Sequence, residues 1–113
     1  MIVRMWHGRT PKEKAGAYTE FLKSKAIPDY QSVEGNLGLT FLKRDEEEIT
    51  HFLLITYWNS FESIKKFAGS DPEVAKYYEE DEEFLLEKEL NVIHYEVFFD
   101  TARDYLSLSD FNT

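Results

Sequence analysis

YWNSFESIKKFAGSDPEVAKYYEEDEEFLLEKELNVIHYEVF, residues 57–98, decides how the chain is read. A strand ending at Tyr57-Trp58 runs directly into an amphipathic helix with Phe61, Ile64 and Phe67 as its apolar stripe. Asn59 and Glu62 have the spacing of a helix cap, and Gly69 ends that helix. Asp71 caps and Pro72 opens a second short helix carrying Val74, Ala75, Tyr77 and Tyr78. An acidic turn then leads to a last strand, about Glu89 to Phe99, that carries His94. So many aromatics on short helices over a sheet predict a lined cavity as well as a packed core.

On the N-terminal side, residues 2–8 read as a strand. Thr10-Pro11-Lys12-Glu13 has the form of a helix start: Thr as N-cap, Pro in the first position, Glu reaching back. The helix places Ala15, Tyr18 and Leu22 on one stripe with Phe21 beside it. It is expected to stop by Ile27-Pro28, because the residue before proline avoids the α region. Gly35 and Gly38 flank the start of a second strand, Leu37 to Arg44, with Leu37, Leu39 and Phe41 on one face. An acidic turn at 45–48 makes a hairpin into a third strand, Ile49 to Trp58. Residues 1–100 form one domain and 101–113 a tail.

The order is β-α-β-β-α-β, with the second helical region in two pieces. Its common low-strain solution is an α+β, ferredoxin-like antiparallel sheet of order 4-1-3-2 with the helices on one face. The strands are apolar on both sides: Met5 and Trp6, Phe52 and Leu53, Tyr95 and Val97 against Val92 and Phe98. A sheet with one wet face should alternate cleanly. The expectation is therefore a homodimer packed sheet on sheet, forming a dimeric α/β barrel.

The chain has 113 residues, enough for one compact domain. Aromatics make up 16%, with nine Phe and seven Tyr, more than a single small core accommodates. A net charge of −9 argues against nucleic acid and anionic membranes. The acidic runs at 45–48 and 79–83 read as solvated turns, lacking the Gly and ligand spacing of a calcium loop. With no cysteine, disulfides, thiolate catalysis and Cys-bound metals are excluded. Arg4 and His7 interrupt any signal-peptide core, and Phe52–Ile55 is too short to span a bilayer, so a cytoplasmic protein is expected.

His7, His51 and His94 are the side chains that titrate near neutral pH. Pairing Met5 with Leu53 would set His7 opposite His51, and strand register decides whether His94 joins them. Scattered histidines are the commoner outcome, so no metal and no cofactor are assigned. His94, mid-strand among apolar neighbours, is the acid/base candidate, and Tyr77 the hydrogen-bond donor to a substrate oxygen. Consecutive tyrosines on a helix point about 100° apart, so Tyr78 would face elsewhere. Met5, Trp6, Trp58, Phe67 and Tyr78 are the candidates to line the site, although core packing explains such residues equally well.

Residues 1–9 (MIVRMWHGR), Trp58 to Gly69 (WNSFESIKKFAG) and His94-Tyr95-Glu96-Val97 together resemble the antibiotic biosynthesis monooxygenase domain family. The likeness covers residues 1–98 and is most specific in its middle block. It implies a ferredoxin-like subunit, a homodimeric barrel and a pocket between sheet and helices. It also implies cofactor-independent oxygenation of a small aromatic or quinol-type substrate, with a non-catalytic ligand-binding or stress-related barrel as the alternative. Haem-degrading members carry an Asn on the first strand, then a Trp and a His. This chain has no Asn before Asn36, and Phe67 and Tyr77 stand at the other two positions, so haem binding is the lesser alternative.

Overall fold

The computed structural model describes residues 1–101, so the predicted tail falls outside the described residues from 102 onward. Four strands, β1 (Ile2–Pro11), β2 (Asn36–Glu46), β3 (Ile49–Trp58) and β4 (Ile93–Glu96), form one sheet in the order β2-β3-β1-β4. Read from the β4 edge, the order is 4-1-3-2. All three neighbouring pairs are antiparallel. Helices α1 (Ala15–Phe21), α2 (Ile27–Gln31) and α3 (Phe61–Ala68) complete an α+β architecture compatible with a ferredoxin-like fold.

Strict alternation in β1 and β3 separates two faces. Arg4, Trp6, Gly8 and Thr10 of β1, with Thr50, Phe52, Leu54, Thr56 and Trp58 of β3, are buried beneath the helices. Tyr18, Leu22, Ala26, Tyr30, Ile64 and Phe67 close the same core from above. The alternate residues, among them Met5, His7, Leu53 and Ile55, lie half-buried on the other face. There Leu42, Ile93 and Tyr95 are exposed.

Several local expectations are corrected. β1 runs on to Pro11, so Thr10 is a fully buried strand residue opposite Thr50 and not a helix cap. Pro11 closes the ladder, where its missing N–H is harmless, and a 3₁₀ turn at Lys12–Lys14 precedes α1. The first helix also does not stop at Pro28. It widens into a π turn at Leu22–Ala26, with the Ile27 N–H donating to the Leu22 carbonyl, and Pro28 opens α2. A wider turn accommodates a residue that has no N–H and crowds the carbonyl four residues back. A register shift between Asn36 and Gly38 turns Leu37 away from Leu39 and Phe41, leaving it exposed. The cap of α3 is Ser60, whose hydroxyl accepts from the Ser63 N–H, while Asn59 accepts from the Ser60 and Ser63 hydroxyls. Phe61 leaves the stripe of Ile64 and Phe67 and is exposed, against the His94 ring.

The largest correction concerns residues 72–78, which form no helix. Asp71 does accept from the Glu73 N–H, but the chain then extends, with Val74 bridging to Asn91. Ala75 N–H donates to Leu90 O and Val92 N–H to Glu73 O. These long-range pairings outweigh weak helix propensity. The last strand is also shorter than the expected Glu89 to Phe99, running only over Ile93–Glu96. The acidic run forms a 3₁₀ turn, Glu79–Glu83, and its Asp81 is 2% exposed, so this run is not wholly solvated.

Candidate functional site

Arg4 and His94 are cross-strand partners in the β1–β4 pairing and lie on the helix side of the sheet. Arg4 is 1% exposed, an unusual position for a guanidinium. Its Nη2 donates to the Val74 carbonyl at 3.0 Å, which ties the extended loop down over the core. Nε and Nη1 are equally buried and have no hydrogen-bond partner among the described residues. The Phe67 ring lies 5.9 Å from the guanidinium carbon and supplies a weak cation–π contact.

The His94 side chain is 6% exposed. Both ring nitrogens are buried and lack a close hydrogen-bond partner among the described residues; the Glu73 carboxylate stands 3.5 Å from Nδ1, a long contact that becomes an ion pair only if the ring is protonated. Burial and then the charge of Arg4 pull the His94 pKa below the ordinary histidine value, and Glu73 only partly opposes them. These effects favour the neutral imidazole, the form with a lone pair that can accept a proton. His94 also forms part of the floor of an open cleft of about 530 Å³, with Met1, Ile2, Asn59, Phe61 and Glu96.

A second polar cluster anchors the other end of the loop. Asp29 of α2 accepts from Tyr78 Oη at 2.6 Å and Lys76 Nζ at 3.0 Å. Burial raises its carboxyl, but those two hydrogen bonds and the charges of Lys76 and Lys25 together leave it below the usual range. Asp81 accepts from the Tyr78 N–H at 2.6 Å and from Tyr18 Oη at 3.3 Å. Lys76 sits 4.2 Å above Phe67, whose ring also stacks on Tyr30 at 4.1 Å. Burial pushes the Tyr18, Tyr30 and Tyr78 hydroxyls well above their usual range, so each remains protonated.

The other predicted site residues are dispersed. Tyr77 does not meet His94: its hydroxyl donates to the Glu89 carbonyl at 2.5 Å, and its ring meets Trp6 edge-on at 5.9 Å. Burial pushes its hydroxyl up to about 12. Trp58 is core, fully buried with its indole N–H on Thr56 Oγ1 at 2.7 Å. Trp6 and Phe67 share that core, whereas Met5 is on the opposite face. In an extended chain Tyr77 and Tyr78 point to opposite sides, not 100° apart. The space among Trp6, Tyr18, Tyr30, Leu54 and Tyr78, where sheet meets helices, is only about 10 Å³, at the lower limit for one water.

The histidines divide between the faces. β1 pairs Met5 with Ile55, so Arg9, not His7, stands opposite His51. His7 nonetheless reaches His51 diagonally, Nε2 to Nδ1 at 3.1 Å, while the outer nitrogens contact Glu89 and Glu46. His94 lies on the other side of the sheet, so the three do not converge. No group of three or more metal-ligating side chains is present among the described residues. No helix among them is long and apolar enough to cross a membrane.

Sequence reasoning missed Arg4, Glu73, Lys76, Asp29 and Asp81. For Arg4 a signal existed: period-two alternation sets it in phase with Trp6, on the core side. Comparison with models of protein families gives no match, and comparison with characterised proteins gives none either.

Proposed function

We propose that the chain is a cofactor-independent monooxygenase-like protein of the antibiotic-biosynthesis type, acting on a small phenol or quinol held against His94. The observation that carries this reading is the pairing of a buried, neutral His94 with a buried Arg4 whose Nε and Nη1 lack partners. A weak acid admitted from the cleft beside Phe61 would satisfy both. His94 takes the phenol proton, and the guanidinium favours the phenolate that forms. An electron-rich ring carbon that carries hydrogen, ortho or para to the oxygen of a phenol and ortho in a quinol, then bonds to O2. Loss of its C–H proton and cleavage of the O–O bond yield the quinone and one water, so phenol plus O2 balances with no further reductant.

The same proposal makes the working unit a homodimer. Its sheets would meet through the face bearing Leu42, Leu53, Ile93 and Tyr95, burying apolar surface that a monomer exposes. Sedimentation at micromolar concentration is expected to give two chains; single chains alone would remove the barrel.

The deciding experiment mixes protein and a quinol panel anaerobically, then admits oxygen. Uptake is expected, falling at least tenfold in His94→Gln; no uptake across the panel refutes catalysis. One observation favours a second reading, a barrel that binds a small ligand without turning it over: the space between sheet and helices is nearly filled. Native mass spectrometry showing a retained metabolite, with no oxygen uptake, would support that reading. Haem binding through His94 is the least favoured; a Soret shift on adding haemin that His94→Ala abolishes would restore it.

A further inference from the structure

A separate cleft of about 160 Å³ opens at the β2 edge of the sheet. Leu22 and Ile27 bound it from the helix side, Phe41 and Phe52 from the sheet. The π turn at Leu22–Ala26 shapes its wall, since Leu22 and Lys23 begin that turn and Ile27 follows it. A cavity of roughly 150 Å³ lined by Leu, Ile and Phe admits one benzene ring. This recess is therefore the size of a single ring.

Lys23 and Lys43 complete the lining. Lys23 has only a loose surface contact with Glu20 at 3.7 Å, and Lys43 has no ion pair among the described residues. In a chain of net charge −9, two lysines beside an apolar recess place positive charge at its rim. Thr19, also on the wall, spends its hydroxyl on the Ala15 carbonyl at 2.9 Å and leaves recognition to the lysines.

The geometry points to a binding site for a small aromatic carboxylate, its ring against Phe41 and Phe52 and its carboxylate between Lys23 and Lys43. No residue of this cleft belongs to the His94 site, and only Leu42 is shared with the proposed dimer face, so the inference stands apart from the oxygenation chemistry.

Benzoate is the probe, titrated into the full chain at low salt and followed by methyl NMR. Saturable shifts are expected at Leu22 and Ile27, with a dissociation constant in the millimolar range. Lys43→Gln, at an exposed position, should weaken benzoate about fivefold, the effect of one ion pair in water. Benzyl alcohol, of the same size and uncharged, should bind more weakly than benzoate. Equal affinity for the two, no saturation, or shifts confined to the surroundings of Phe61 and His94 would each overturn the assignment. Oxygen uptake by Lys43→Gln should match that of the parent chain, which keeps the two proposals distinguishable.

Discussion

Replacing Arg4 by methionine tests whether the buried guanidinium is held at a cost. Its favourable contacts are one hydrogen bond to Val74 O and one cation–π contact with Phe67, with a longer-range attraction to Glu73. A hydrogen bond from a charged donor contributes about 1.5–3 kcal/mol, and a desolvated cation–π contact about 1–2 kcal/mol. Against them stands the desolvation of a cation that is 1% exposed with two nitrogens unpartnered, several kcal/mol after relaxation. Burial alone is enough to lower its pKa, although a guanidinium in a protein keeps its proton. Methionine fills a similar volume without that penalty and leaves one carbonyl unpaired. We expect Arg4→Met to be neutral or more stable by up to about 2 kcal/mol. With a urea m-value near 1.3 kcal/mol/M, the midpoint should rise by between roughly 0 and 1.5 M. Phenol or quinol turnover should be lost at the same time. A fall in midpoint of more than about 1 M at unchanged m would refute the reasoning, because Arg4 would then be a structural residue with no function to explain its cost.

His94 has a folded-state pKa below that of the unfolded chain, so the unfolded state takes up its proton first as pH falls. The associated stability is complete above about pH 6.5 and is lost as pH drops toward the folded pKa; His94→Gln should flatten this part of a stability–pH curve measured by denaturation. Asp81→Ala strands the buried Tyr18 hydroxyl and Tyr78 N–H and should cost about 2–4 kcal/mol by urea unfolding, with Asp81→Asn costing less. Gly35→Ala meets two obstacles, a φ of +98° and a Cβ that would overlap the Ser63 hydroxyl and lie 2.7 Å from Asn59 Oδ1. A loss of about 2–4 kcal/mol is expected, and an unchanged melting temperature would contradict it.

Strand β3, Ile49–Trp58, was legible with its exact bounds, because an apolar, β-branched and aromatic run follows an acidic turn and stops at Asn59-Ser60. Gly69 as the end of α3 was equally plain: the helix closes there at φ 104°. The element order followed from such local signals. Where expectation and structure part, a distant segment had overruled a local preference. Residues 72–78 carry a helix start, yet their backbone groups meet residues 90–92 and the chain extends. Pro28 should have ended a helix, but a π turn absorbed it because Ala26 and Tyr30 had core to bury on either side.

The sequence by itself determined the succession of strands, the α+β class and the place of His94 on the last strand, since apolar runs, turn residues and glycine conformation are properties of a few adjacent residues. Only the tertiary structure decided the site. It set Arg4 beside His94, returned Tyr77 to a backbone carbonyl, drew Asp81 out of an acidic run, and parted His94 from His7 and His51. Those outcomes depend on register and on which segment lies over the sheet, and both are fixed by burial summed across contacts remote in the chain.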